Sequence, residues 1–339
     1  MAIITGISGM QIGDGAGGKA ALSVIQGLIL RILSDMRLTY LAATINNPHE
    51  MKAGTAHYYV PEILQTEEYG TGNKPFQTPQ IGTKEVKIDK RIDVKWEVED
   101  FDLSRISQSG ALMSQVATGV AMAIQHTLNA EFYKELGALF APGAQLNTQV
   151  IKLDNLGAVQ QAGFNPDDMF SDYLKLEYKL AEINQTFDKR HLGIPKAEVL
   201  AILSPKCDIG LRLAFRNQPN QIGTWQVSKT LEGRYIGNVK YIVEKMMQKQ
   251  INAGTSFSKD RSYNFTNFLG FLMHNEAAAF PINLNKLAHV TNPDNANQRV
   301  ICKVQYGFGV LRPELIWVLT DAQINAAPYV DKKEKDKKE

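Results

Sequence analysis

From Lys84 to Glu99, apolar and charged residues alternate almost without a break. Val86, Ile88, Ile92, Val94, Trp96 and Val98 fall on one side. Glu85, Lys87, Asp89, Arg91, Asp93, Lys95, Glu97 and Glu99 fall on the other, and only Lys90 interrupts the apolar row. A period of two is the mark of a strand with one face buried and one face wet. At about 3.3 Å per residue the run would reach roughly 50 Å, whereas strands usually hold about five or six residues. A small core cannot cover so long an apolar row. The row is therefore expected to rest on something outside its own domain, most simply a second copy of the chain.

The elements around this strand follow from spacing. Residues 6–18 are glycine-rich and read as a turn-like terminus. Lys19 to Ala43 reads as an amphipathic helix, with Leu22, Ile25, Ile32 and Met36 at helical spacing and Asn46-Asn47-Pro48 as its stop. His57–Thr66 and Lys84–Glu99 read as the two limbs of a long hairpin, with Pro61 marking the first limb as irregular or an edge. A helix is expected from Arg105 to about Leu139, capped by Asp102 or Ser104. Met113, Val116, Val120, Ile124, Leu128, Phe132 and Leu136 form its stripe. Ser107, Gly110, Ser114, Gly119, Ala121 and Ala123 keep its other faces small, as suits a packing spine about 50 Å long.

Beyond Pro142 the pattern turns to mixed helix and strand. A helix is expected from Pro166 to about Arg190, with Phe170, Tyr173 or Leu174, Leu176, Leu180 and Ile183 inward. Glu198–Leu203 reads as a buried strand, and Ser204-Pro205 as an N-cap and first-turn proline opening a helix through Phe215. Tyr235–Val243 and Phe268–His274 read as further strands. Val300–Val310 and Leu315–Leu319 read as a final strand pair around Arg312-Pro313. The last residues, DKKEKDKKE, balance their charges and offer nothing to bury, so disorder is expected there.

Composition narrows the classes of function. A formal charge of +2 over 339 residues is too small for wholesale nucleic-acid binding. The two cysteines, Cys207 and Cys302, are too few and too far apart for a disulfide framework or a zinc site, so two reduced, partly buried thiols are expected. The first dozen residues lack the basic stretch of a secretory signal. No apolar run approaches about 18 residues, so no membrane span is expected, and the chain reads as one made and folded in a cytoplasm.

The chemistry inventory is short. Gly13-Asp14-Gly15-Ala16-Gly17-Gly18-Lys19 matches G-x-x-x-x-G-K, but a phosphate-binding loop needs a hydroxyl next, and Ala20 stands there. His49, His57, His126, His191, His274 and His289 show no metal-ligand spacing. The pairs Asp167-Asp168, Glu67-Glu68 and Glu97/Glu99 are of a kind that loops and helix starts often carry, and Asp167 and Asp168 at a helix start meet the dipole favourably. No serine lies in G-x-S-x-G and no cysteine has a nucleophile's context. No catalytic residue, cofactor or metal ligand is assigned, and the chain is read as no enzyme.

The order of elements carries more than any motif. A charged-alternating strand runs into KWEVEDFDLSR, then the spine helix, then a mixed domain with EVLAILSPKCDIGLRL. GRYIGNVKYIVEKMM, FLGFLMHNEAAAFP and VQYGFGVLRPELIWVLT follow. This order resembles the major capsid proteins of tailed double-stranded-DNA bacteriophages, the Hong Kong 97 type. The resemblance covers nearly the whole chain and implies an α+β fold with an N-terminal arm, an extended β-hairpin loop, a long spine helix, and peripheral and axial domains.

Mapped onto this chain, the resemblance implies an arm at 1–44, an extended hairpin loop at 45–103 and a spine helix with peripheral domain at 104–165. It implies an axial domain at 166–288, return strands of the peripheral domain at 289–325 and a charged disordered tail at 326–339. Tyr306-Gly307-Phe308-Gly309-Val310-Leu311-Arg312-Pro313-Glu314 matches the closing strand. The function implied is self-assembly into hexamers and pentamers of an icosahedral shell around phage double-stranded DNA. Scaffolding and portal proteins are then partners, with weak non-specific contact to the packaged DNA and no membrane. Assembly is expected in the host cytoplasm, and the final location is the virion. The hairpin residues expected to touch a neighbouring subunit are Val86, Ile88, Ile92, Val94 and Trp96 on the apolar row, with Lys87, Arg91, Lys95, Asp89, Asp93 and Glu97 on the charged row. N-terminal cleavage is not expected, and a lysine cross-link through Lys74 or Lys84 has no support in the residues. An encapsulin-like nanocompartment shell of the same fold, and a nucleotide-binding enzyme using Gly13–Lys19, are the alternatives.

Overall fold

The computed structural model describes residues 28, 50–52, 54–61, 81–98, 110–141, 143–157, 166–190, 199–217, 235–236, 239–247, 250–254, 261–266, 268–274, 277–291 and 298–321. The glycine-rich start, the Gly13–Lys19 motif, the hairpin tip at 62–80 and the charged tail lie outside them. So do residues 105–109 of the spine helix and all of the N-terminal helix except Leu28, which is helical.

Among the described residues the strands begin with β1 (Glu50–Lys52), β2 (Thr55–Pro61), β3 (Ile81–Lys87) and β4 (Lys90–Val98), followed by the long helix α1 (Gly110–Ala138). Next come β5 (Val150–Lys152), the short helix α2 (Asp154–Gly157), α3 (Pro166–Arg190), β6 (Val199–Leu203) and α4 (Pro205–Asn217). Small strands follow: β7 (Tyr235–Ile236), β8 (Val239–Val243), β9 (Gln250–Ile251) and β10 (Tyr263–Asn264). The last third holds β11 (Phe268–His274), β12 (Ala278–Ala279), β13 (Ile282–Thr291), β14 (Gln298–Tyr306), β15 (Gly309–Val310) and β16 (Ile316–Thr320).

These elements divide into two compact units. The first is drawn from Lys87–Asn129 and Phe280–Gly307. Its sheet has the order β13-β14-β4, antiparallel throughout. A register shift between Leu284 and Leu287 marks a bulge in β13. Strand β14 carries the period-two pattern in burial as well as in sequence: Cys302, Val304 and Tyr306 are buried, while Ile301, Lys303 and Gln305 are half-exposed. On α1, Ala117, Val120, Ala121, Ile124 and Leu128 are buried. The hydroxyls of Thr118 and Thr127 donate to the carbonyls of Ser114 and Ala123, both at 2.8 Å, so neither asks for a partner outside the helix.

The second unit is drawn from Pro48–Val86, Ala130–Ala279 and the chain beyond Gly307. Its main sheet has the order β5-β16-β11-β6-β8-β7 and is mixed, parallel at β5–β16 and β6–β8. Central β11 is buried along its whole length, which requires cover on both faces. One cover comes from α3 and α4, whose Tyr173, Leu176, Leu180, Cys207 and Leu211 join Leu203, Leu269 and Leu272 in a single core. Phe271 on β11 belongs to a separate aromatic group with Tyr133, Phe140, Phe265 and Phe268.

Local chemistry sets the helix starts. The Ser204 hydroxyl accepts from the Cys207 amide at 3.2 Å, the N-cap that Ser204-Pro205 foretells. The buried Asp172 carboxylate accepts from the amides of Asn155 and Leu156 at 2.9 and 3.2 Å and caps the four-residue α2. Such a cap from a distant helix leaves no trace in local sequence.

Two expectations change. Over its described part, 84–98, the run Lys84–Glu99 is two strands, interrupted at Ile88 and Asp89, and β4 pairs with β14 instead of extending the hairpin. The final strands do not pair with each other: β14 joins β4, whereas β16 joins β11 and β5. Of the two alternatives left open on α3, Tyr173 turns inward and Leu174 is 48% exposed. Strand β13 was not foreseen, because the run NLNKLAH breaks period two at the bulge.

Candidate subunit-contact site

The residues expected to meet a neighbouring subunit split between the two units. In the second unit β2 and β3 are neighbours in a three-stranded sheet with β1, so of the limbs expected at 57–66 and 84–99 only 57–61 and 84–87 lie on these two strands. Val86 is buried at 5% exposure, and Lys84, Glu85 and Lys87 on the same strand are exposed. His57 Nδ1 lies 3.6 Å from Glu85 on the neighbouring limb. The Lys84 ammonium donates to the carbonyl of Leu311.

The glycines of the YGFG motif have a steric reason. A Cβ on Gly307 would stand 2.2 Å from the carbonyl oxygen of Lys87, and one on Gly309 would stand 2.4 Å from a methyl of Val86. Two strand-like segments pass each other more closely than any side chain permits. Further along, the amides of Leu311 and Arg312 both donate to the carbonyl of Ala277, at 2.9 and 3.0 Å.

In the first unit β4 presents the two rows that the alternation defines. Ile92, Val94 and Trp96 stand opposite Val304, Cys302 and Val300. Residues paired across strands share a face, so the apolar row lies on the face that β14 also buries. Ile92 is 7% exposed, while Val94 and Trp96 are half-buried, as is Ile88 at the break. Part of the apolar row is thus covered within its own chain. The side chain of Val98 lies outside the described residues.

The other face is charged. Asp93 stands opposite Lys303 in the register, and Glu97 opposite Arg299. Arg91 grips Asp93 with both arms of its guanidinium, at 2.6 and 2.7 Å. That bond first, with the charges of Arg91, Lys95 and Lys303 behind it, holds the Asp93 carboxyl below its ordinary range. Lys87, Asp89, Lys95 and Glu97 are exposed.

Sequence reasoning passed over three carboxylates, each met by a tyrosine: the buried Glu131 by Tyr263, the buried Asp208 by Tyr241 and the half-buried Glu244 by Tyr133. The one visible sign was Glu131 itself, standing inside the apolar stretch of α1. Both cysteines are free and buried. Burial pushes the Cys302 thiol up, and burial with the nearby charges of Asp208 and Asp172 does the same to Cys207. Among the described residues no group of three or more His, Cys, Asp or Glu side chains could hold a metal ion. Among them, too, no helix is long and apolar enough to cross a membrane.

No protein-family model and no curated protein matches the sequence. The fold is similar to a solved structure from Mycobacterium phage Che8, with 14% identity and a TM-score of 0.48 over 83% of this chain and 90% of that one. It is similar to the capsid structure of the cyanophage P-SCSP1u, with 15% identity and a TM-score of 0.48 over 81% and 85% of the two chains. A third likeness, to the procapsid of satellite phage P4 that includes its size determination (Sid) protein, spans 94% of both chains with 10% identity and a TM-score of 0.46. With identities this low and TM-scores below 0.5, the functional reading rests on this chain's own topology.

Proposed function

We propose that the chain is a major capsid protein, a coat subunit that assembles through hexamers and pentamers into an icosahedral shell around phage double-stranded DNA. One observation carries the reading. The chain runs from a hairpin root through β4 into a 29-residue helix, builds a separate α/β body, and then returns with β13 and β14 to complete the sheet of β4. That is the course the resemblance in element order implies, with a peripheral sheet closed by the last third of the chain.

Contacts between copies follow from the same strand. The half-buried Val94 and Trp96, with Ile88, are the apolar positions that a neighbour would finish covering. The exposed Lys87, Asp89, Lys95 and Glu97 offer both signs of charge for pairing across the contact. Exposed pairs contribute only about 0–1 kcal/mol each, so they set register, whereas apolar cover contributes about 25 cal/mol per Å². Scaffolding and portal proteins, weak contact with the packaged DNA and a final place in the virion belong to this proposal. No catalytic role or cofactor does.

The test is negative-stain electron microscopy beside sedimentation velocity, on the chain expressed alone and with a candidate scaffold. Closed shells, or free hexamers and pentamers, are expected. Nucleic acid inside the particles separates a virion shell from a nanocompartment. A monomer under both conditions would sink the proposal and turn attention to Lys19, where Lys19→Ala with a nucleotide-binding assay decides the enzyme alternative.

A further inference from the structure

The long helix carries an unusually regular ladder. Val120, Ile124, Leu128, Phe132 and Leu136 follow one another at intervals of four, and all are buried. Side chains at i±4 form continuous ridges along a helix. A ridge of similar apolar groups at a constant interval is close to self-similar when displaced by four residues, about 6 Å along the axis. Apolar packing of the ladder alone therefore selects poorly between seatings one step apart.

Two side chains in the second unit break the repeat, and both are polar at the tip. Glu131 is 1% exposed, and its Oε1 accepts from Arg261 Nη1 and from the Tyr263 hydroxyl, each at 2.6 Å. Tyr133, stacked on Phe271 with ring centroids 6.1 Å apart, donates its hydroxyl to Glu244 Oε2 at 3.3 Å. The helix thus gives a carboxylate and a phenol, and the segment from Glu244 to Tyr263 answers with a carboxylate, a guanidinium and a phenol.

We propose that these paired bonds are a register lock, which admits one seating of the helix and rejects those displaced by one step. The sequence around them supports the two-point form. Moving the helix one step in one direction puts Glu135 in the place of Glu131, which would satisfy Arg261 and Tyr263. The same step puts Gly137 in the place of Tyr133 and leaves Glu244 without its phenol. A step in the other direction brings Thr127 and Asn129 to the two positions, and neither can do the work. A buried carboxylate is a weak source of stability but a sharp source of uniqueness, because a wrong seating takes Glu131 from Arg261 and Tyr263 and leaves it, away from water, with Lys134 of its own helix at 3.4 Å.

The test uses the full chain with spin labels at Ala138→Cys and Lys245→Cys, both exposed positions, while Cys207 and Cys302 stay buried. Pulsed dipolar spectroscopy then reads the distance between the helix end and the body. A single narrow distribution is expected with the native lock. Glu131→Met with Tyr133→Phe keeps the shapes and removes both polar points, and Arg261, at 31% exposure, can still reach water. A second population, displaced by up to about 6 Å, is then expected with the helix content unchanged by circular dichroism. An unchanged narrow distribution in the folded variant would overturn the lock. Should that variant lose its fold, Thr127→Glu with Glu131→Thr, combined with Asn129→Tyr and Tyr133→Asn, moves both polar points one step. Displacement of the distribution supports the lock, whereas a distribution that stays in place, or a second loss of fold, assigns these bonds to plain stability and overturns it.

Discussion

At Gly307 the carbonyl oxygen of Lys87 occupies the place where a side chain would begin. The obstacle is backbone, 2.2 Å from a notional Cβ and followed by the carbonyl carbon at 3.0 Å, so no rotamer change relieves it. Gly307→Ala is expected to destabilise the fold by about 1–3 kcal/mol or more, as overpacking does, and the urea midpoint reads the loss directly. Gly119 is the opposite case. It lies in the interior of α1, is exposed, and has nothing within 4 Å of a notional Cβ. Gly119→Ala is expected to raise the stability of the monomer by about 0.5–1 kcal/mol, through helix propensity and a less free unfolded chain. Both glycines look alike as letters. Their meaning was legible only for the YGFG motif, and there as a resemblance without its steric cause.

At the scale of the element, β4 is the strand whose role changed most. Its alternation was plain from the sequence, and the two faces are as expected, but its partner is β14, 200 or more positions away in the chain. Strand pairing at that distance leaves no local mark, because any strand with a matching apolar face satisfies the same pattern. The charged face supplies a pH dependence. Asp93 has a lowered folded pKa, so its contribution is fully present above the unfolded value of about 3.9 and is lost as pH falls through the folded one. The urea midpoint is expected to fall on going from pH 5 to pH 3, and Asp93→Asn should flatten part of that slope. A slope unchanged by Asp93→Asn would mean that the Arg91 bond does not act on stability. Helix α3 makes the contrast with β4. Its limits, Pro166–Arg190, coincide with the reading from periodicity, because a helix is specified by neighbours within a few residues.

For the whole molecule, the proposal of a shell subunit turns on what remains uncovered when the chain is alone. Trp96 is half-buried against the sheet it belongs to. Trp96→Asp is expected to leave a folded, less stable monomer and to abolish closed shells in the microscope. Normal shells from that variant would show that this part of β4 does not face a neighbour. The urea midpoint, measured beside the micrographs, separates failed assembly from failed folding.

By itself the sequence determined the elements whose cause is local. These are the period of β4, the stripe of α1, the Ser204-Pro205 start of α4, the run of α3 and the apolar β11. Their order along the chain carried the likeness to a coat protein. Only the tertiary structure decided that Lys84–Glu99 breaks into two strands belonging to different units, that β14 closes on β4 and not on β16, and that Glu131, Asp172 and Asp208 are buried with partners. The physical reason is common to all three. A period or a cap is set by residues within one or two turns, whereas a strand partner, a close backbone passage or a buried charge is settled by groups that folding brings together from far along the chain.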